Sequence, residues 1–228
     1  VAFAGSAVLW PPMPHVAPSS SSRERIAAAA AAQLVDDTFV NVGIGIPGLV
    51  PHHVPDERGV VFHAEHGVIG FGSDRFGPTD GPLLAFFGTT YRLRPGGFCC
   101  DHSRSFAVTR SGRIHTTVLG AFQVAADGRF VSHASEAMAS GCPGGSPELT
   151  GAAGRVVIAT EHTDPGGRPK LVASLTLPLG VDRPADVIVT ELGTFVPTGT
   201  GFRIVELADG VSLADVEAAT DAPVEPAV

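Results

Sequence analysis

Six short runs dominate the hydropathy pattern: Phe39–Val42, Val60–Phe62, Ser105–Thr109, Thr116–Leu119, Arg155–Ala159 and Val187–Thr190. They are rich in apolar and β-branched residues and show little of the strict in-out alternation of a half-solvated strand. Strands of that kind need cover on both faces, and the segments between them are helical or glycine-rich. The pattern predicts a single α/β domain, built on a mixed, mostly parallel sheet covered by helices on both faces.

The remaining elements are predicted from their punctuation. Ser22 is placed to cap a helix running from Arg23 through an alanine run to about Leu34, with Asp36-Asp37 ending it. Ser212 is placed to cap a terminal helix over Val211–Ala219. Asp127-Gly128 and Gly166-Gly167 mark turns. Ahead of the first helix, a Pro- and Ser-rich stretch over residues 11–22 cannot bury enough to order itself. The chain is thus expected to divide into a flexible tail, 1–22, and a folded domain, 23–228.

Glu65 stands at the end of the apolar run Val60-Val61-Phe62-His63-Ala64 and ahead of Gly67 and Gly70. A carboxylate at the end of a buried strand is costly to desolvate, so it persists there mostly when hydrogen-bonded or chemically employed. Glycines beside it would let a substrate carbonyl approach the backbone. Asn41, just before the Gly43/Gly45 turn, is the best side-chain donor for an acyl or carboxylate oxygen, or else an Asn that closes its own turn. His66 is expected to serve as hydrogen-bond donor or proton carrier near Glu65.

Composition narrows the function classes. A formal charge of −8 disfavours nucleic acid and anionic membranes as partners. No run reaches the roughly 18 apolar residues of a membrane span, and the apolar opening Val1–Trp10 lacks the basic leader of a secretory signal. Three cysteines, two of them adjacent at Cys99 and Cys100, make no disulfide framework, so a cytoplasmic setting is expected. Cys142 reads as a small hydrophobe. His52, His53, His63 and His66 lie close in sequence but lack zinc-ligand spacing, and no metal is expected. Gly43-Ile44-Gly45-Ile46-Pro47-Gly48 also fits a dinucleotide fingerprint, with an acid 22 residues after its first glycine. Pro47, Pro51 and Pro55 leave little more than one turn of helix there, which argues against that reading.

Four segments occur in an informative order: Asn41-Val42-Gly43-Ile44-Gly45-Ile46-Pro47, Ala64-Glu65-His66-Gly67, Thr117-Val118-Leu119-Gly120-Ala121-Phe122-Gln123-Val124 and Glu161-His162-Thr163. Together they resemble the beta subunit of family I CoA-transferases, the group that includes succinyl-CoA:3-oxoacid and 3-oxoadipate CoA-transferases. The resemblance runs from about Arg23 through Leu213. It implies transfer of CoA between an acyl-CoA and a carboxylic acid through a glutamyl-CoA intermediate on Glu65. It implies no resident cofactor, CoA thioester being substrate, and an alpha-subunit partner in a hetero-oligomer of α₂β₂ type. By the same resemblance Asn41 matches a family asparagine. Gly43, Gly45, His66, Gly67 and Thr89 fall at substrate or CoA positions, and Gly144-Gly145 align with a Gly-X-Gly-Gly loop near CoA.

Departures from the family pattern are concentrated around the same site. Ser-Glu-Asn-Gly becomes Ala64-Glu65-His66-Gly67, and Asn-Ala-Gly-Lys becomes Phe86-Phe87-Gly88-Thr89, so the family lysine is absent. Cys142 replaces the first glycine of the loop, and His133–Met138 replaces Trp-X-Ile-Pro-Gly-Lys. Loss of the lysine removes charge-assisted contacts of about 1.5–3 kcal/mol each. A substrate bulkier and more apolar than acetoacetate or succinate is expected, with Arg92, Arg94 or the partner subunit as the compensating cation. The alternatives are a relative diverged to thioester hydrolysis, carbon–carbon cleavage or decarboxylation, and a non-catalytic partner subunit.

Overall fold

The structure, a computed structural model, describes residues 20–72, 83–86, 89–134, 141–179 and 182–227. Helix α1 (Ser20–Ala32) leads into β1 (Phe39–Val42), two 3₁₀ helices (Ile46–His53 and Asp56–Arg58), and strands β2 (Val61–Ala64), β3 (Val68–Gly72), β4 (Leu83–Phe86) and β5 (Thr89–Cys99). Then come α2 (His102–Arg110), β6 (Thr116–Leu119), β7 (Gln123–Ala125), β8 (Phe130–Val131), α3 (Ser146–Ala152), β9 (Arg155–Ala159) and β10 (Leu171–Val172). The chain closes with β11 (Val187–Thr190), β12 (Gly193–Pro197), β13 (Phe202–Leu207), α4 (Leu213–Ala219) and β14 (Val224–Glu225).

The large sheet has the order β14-β13-β12-β11-β9-β6-β1-β2-β3-β5-β4. Its centre, β11-β9-β6-β1-β2, is parallel throughout. Antiparallel neighbours flank it, β12 on one side and β3 on the other. This is the α/β architecture the apolar runs predict, and five of the six runs are strands of the parallel centre. The sixth, Ser105–Thr109, is instead the middle of α2. The Asp101 side chain accepts the Arg104 N–H at 3.0 Å and caps the helix, and Ser105, Phe106 and Thr109 are buried at helical spacing. The apolar-looking pentad concealed a one-sided helix.

Successive residues of the central strands enter two different cores. Val40, Val42, Val118, Val157, Val187 and Val189 pack with Ile26, Ala27, Ala30 and Leu34 of α1. Leu119, Val156, Ile158 and Ile188 pack on the opposite face with Phe195, Phe202, Val216 and the small sheet β10-β7-β8. The alanines of α1 let its axis lie close to the strands. On the second face a three-stranded sheet shares the covering with short helices.

Helix α1 starts at Ser20, so Ser22 lies inside it rather than capping it, and the rest of the expected tail lies outside the described residues. The carbonyls at its end and just past it find partners at a distance. Arg58 Nη1 donates to Ala31 O at 2.9 Å and Nη2 to Leu34 O at 2.5 Å, and Arg155 Nη1 donates to Gln33 O at 2.6 Å. Ser212 caps α4 in a reciprocal box with Asp215, as its sequence predicts. Tyr91 is wholly buried, donates its hydroxyl to Gly48 O, and packs edge-on against Phe71 with ring centroids 5.0 Å apart. Among the described residues no helix is long and apolar enough to cross a membrane.

His162, from Glu161-His162-Thr163, is fully buried, with Nδ1 2.9 Å from Thr190 Oγ1 and Nε2 2.9 Å from Thr220 Oγ1. Burial pushes its pKa down to about 4, and does the same to His63. Between the ordinary histidine value of 6.5 and 4, the unfolded chain binds protons that the folded chain refuses. Stability from this source is complete above pH 6.5 and falls by about 1.4 kcal/mol per pH unit per histidine as the pH drops toward 4. We expect His162→Gln to remove one histidine's share of that slope, read as the change in urea-unfolding free energy between pH 6.5 and 5. An unchanged slope would mean that His162 is protonated in the fold.

Candidate active site

A cleft of about 560 Å³ opens at the carboxyl ends of the parallel strands, where ligands of α/β sheets characteristically bind. Gly43 to Pro47 follow β1, Glu65 follows β2, Leu119 to Phe122 follow β6, and Thr160-Glu161 follow β9; all line it. A second cavity of about 460 Å³ adjoins, lined by His102, Ser103, Phe106, Arg110 and Glu148. Glu65, Gly144 and Gly145 line both. The carboxylate therefore stands where the two spaces meet.

Glu65, His66 and Gly67 form the three-residue loop between antiparallel β2 and β3, with Ala64 opposite Val68. Gly67 takes φ +105°, and a Cβ there would fall 2.1 Å from Cys100 O. The backbone that approaches this glycine is the protein's own, and Gly67 lines neither cavity. Burial raises the Glu65 pKa above the usual carboxylate range, with nearby His102 pulling it partly back. His66 is exposed, lines neither cavity, and has its pKa lowered by partial burial of the ring and by His102.

Asn41 is fully buried and does not reach the cleft. Its Nδ2 donates to Thr117 Oγ1 at 2.9 Å, and its Oδ1 lies 2.9 Å from His63 Nδ1. His63 Nε2 is 2.9 Å from Ser105 Oγ, which also donates to Glu65 O at 2.7 Å. An amide oxygen only accepts, so the neutral His63 ring carries its proton on Nδ1 and leaves Nε2 to accept. The one Ser105 hydroxyl proton then faces two acceptors, His63 Nε2 and the Glu65 carbonyl. Asn41 thus bears on the backbone of Glu65 through two intermediaries rather than on a substrate. His63 and Ser105 escape a reading of the sequence because nothing local links positions 41, 63, 105 and 117.

The glycine loop lies directly against the carboxylate. A Cβ on Gly145 would fall 2.1 Å from Glu65 Oε2 and 2.7 Å from Phe106 Cζ, whereas one on Gly144, at φ +56°, would meet nothing within 4 Å. Gly43 approaches the β6 end, where a Cβ would sit 3.0 Å from Leu119 Cδ2, and Gly45, at φ +83°, turns the chain into the first 3₁₀ helix. Cys142 is exposed on the cleft wall, not buried as a small hydrophobe. Thr89 opens β5 opposite Phe86, and their side chains lie outside the described residues, as do Phe87 and Gly88. Arg94 pairs with Asp56 at 2.8 Å, and neither Arg92 nor Arg94 lines the cleft. His53 pairs with Glu24 at 2.6 Å and His52 stacks on Tyr91; among the described residues no three metal-ligating side chains gather.

Gly145→Ala should drive the Glu65 carboxylate out of its half-buried position. Titration of the Glu65 side chain by carbon NMR should show its raised pKa falling toward the ordinary value, with Gly144→Ala unaffected. An unshifted Glu65 in Gly145→Ala would mean that the loop, and not the carboxylate, gives way.

Comparison with known proteins agrees with this geometry. A family model described as Coenzyme A transferase matches residues 23–219. The chain is 36% identical over 206 residues to a probable coenzyme A transferase beta subunit of Bacillus subtilis, covering 90% of this chain and 95% of that one. It is 32% identical over 203 residues to a 3-oxoadipate CoA-transferase subunit of Acinetobacter baylyi, covering 88% and 94%. Among solved structures, an acyl-CoA transferase of Escherichia coli O157:H7 shares the fold with a TM-score of 0.70 at 17% identity, over 90% of this chain but 42% of that chain. With a family match across most of its length and relatives above 30% identity covered almost end to end, the chain belongs to the coenzyme A transferase family.

Proposed function

We propose that the chain is the beta subunit of an acyl-CoA:carboxylate CoA-transferase and that Glu65 is its covalent nucleophile. The observation that carries this reading is a half-buried carboxylate of raised pKa at the junction of two cavities, within the matched family region. Relatives named for acetate and for 3-oxoadipate support the transfer chemistry without choosing among acids.

The proposed steps are these. A Glu65 oxygen attacks the thioester carbonyl, and the resulting tetrahedral oxyanion collapses to a mixed anhydride as CoA thiolate leaves. The thiolate returns to the glutamyl carbonyl, the acid departs, and Glu65 holds CoA as a thioester. An acceptor carboxylate reverses the sequence, so the thioester bond is exchanged rather than hydrolysed. No resident cofactor enters any step. The first cavity, walled by Ile44, Leu119 and Phe122, takes the acyl group, and the second gives CoA access to the same carboxyl. Gly145 brings backbone against the reacting group, and Gly144 lines both cavities beside it. Asn41, His63 and Ser105 act as positioning residues, fixing the carbonyl from which the Glu65 side chain springs.

The rest of the catalytic unit is a second chain, an alpha subunit, assembled as α₂β₂ in the cytoplasm. Support comes from coverage: the chain spans 95% of a relative named as a subunit and only 42% of the solved acyl-CoA transferase chain. With a single lysine in the chain, the CoA phosphates are left to arginines, backbone N–H groups or the partner subunit.

Acyl-CoA incubated with the assembled enzyme should leave Glu65 as a CoA thioester, reducible by borohydride and visible by peptide mass spectrometry. Glu65→Gln should abolish turnover with the fold intact; retention of most activity there would overturn the assignment. Because the attacking form is ionised, rate should rise with pH through a limb above the usual carboxylate value. His102→Ala, which removes the group that lowers the Glu65 pKa, should move that limb upward. Co-expression with an alpha-type chain should yield a stable hetero-oligomer by light scattering, and full turnover by this chain alone would refute the two-chain reading.

A further inference from the structure

One charged side chain opens onto the first cavity with bonding capacity left over. Arg23, near the start of α1, lines the cleft together with Glu65. Its Nε is buried and donates to no acceptor, the nearest anion being Glu161 Oε1 at 3.6 Å, beyond hydrogen-bond reach. Its Nη2 is 3.8 Å from where a Cβ on Gly45 would stand, so the guanidinium rests over the glycine turn in space that a side chain at 45 would narrow.

Glu161 does not neutralise Arg23 alone. Its other oxygen faces Lys170 Nζ, also at 3.6 Å, and buried Lys170 donates to Thr160 Oγ1 at 3.0 Å. Arg23 and Lys170 share the Glu161 carboxylate, so Arg23 is only partly countered at the cavity wall. Glu191 and Asp164 also bear on Lys170; Glu191 accepts the His162 N–H, Asp164 pairs with Arg168, and neither lines the cleft. Arg92 and Arg94, the arginines nearest in sequence to the missing family lysine, do not line it either.

We propose that Arg23 is the anion-recognising residue of the cleft and holds the distal carboxylate of a dicarboxylic acyl group whose other carboxyl is exchanged at Glu65. A planar guanidinium matches a carboxylate in two places. A single partly countered cation fits one negative charge better than the several on the CoA phosphates. A space of about 560 Å³ is ample for a short diacid. The proposal rests on Glu65 being the exchange point, and it replaces the apolar substrate expected from Phe86, Phe87 and Thr89.

The test uses the co-purified complex with its alpha subunit, wild type against Arg23→Gln and Arg23→Lys. The Arg23 side chain is 40% exposed, so neither replacement opens the core. For succinyl-CoA against butyryl-CoA, Arg23→Gln should lower kcat/KM about 10- to 100-fold on the diacid thioester and leave the monoacid within about threefold. Arg23→Lys should fall between. Equal loss on both thioesters would overturn the proposal. If that loss vanished with pantetheine thioesters, which lack the nucleotide phosphates, Arg23 would be a phosphate contact instead. Calorimetric binding of free glutarate and pentanoate separates this idea from the transfer mechanism. Glutarate binding weakened at least tenfold by Arg23→Gln, with pentanoate unchanged, supports the subsite even if no transfer occurs, and unaltered glutarate binding refutes it even if transfer does.

Discussion

The site hangs on a line of polar groups buried across the sheet. Thr117 on β6, Asn41 on β1, His63 on β2 and Ser105 on α2 are all fully buried, and each must find its partners among the others. An unpaired member of such a line would cost about 1–3 kcal/mol. Four elements are thereby held in one lateral register, and the line ends on the carbonyl of Glu65. Depressing the His63 pKa to about 4 keeps that ring neutral at physiological pH, so the line carries no charge of its own near the Glu65 carboxylate.

The parallel strands then do the rest of the placement. Because β1, β2, β6 and β9 run the same way, their carboxyl ends deliver Gly43–Gly45, Glu65, Leu119–Phe122 and Glu161 to one rim. The sheet turns antiparallel immediately after β2. Glu65 sits at that change of direction, held by β2 before it and β3 after it, while the α2 hydroxyl grips its carbonyl. A side chain anchored from three directions can hold a desolvated carboxylate without a tightly paired counter-ion.

The strands of the parallel centre are legible because residues that must be buried on both faces leave short runs rich in apolar and β-branched residues in the sequence. Ser105–Thr109 reads as a strand because a short helix with one buried face and a short strand share the same apolar density; the cap at Asp101 is the better signal. Glu65 and the glycine loop could be found from the strand end and from the family pattern. Asn41 was placed correctly in the chain but given the wrong neighbours, since its partners lie 22 and 76 residues away. Arg23 was invisible as a site residue because a helical arginine followed by Glu24 looks like solvated surface, and only the packing of α1 beside the glycine turn brings it to the cleft.

The Cys100 carbonyl pressed against Gly67 has a further consequence for how this loop can vary. Position 67 is closed to any side chain, and Ala64 is sealed in the core. Position 66 is exposed and outside both cavities, so side chains of other sizes have room there. Of the three residues that flank Glu65 most closely, only one can change its bulk. Sequence drift at that single position changes the charge felt by His63 and the group that faces His102 without rebuilding the loop that carries Glu65, and His66 occupies that one adjustable place.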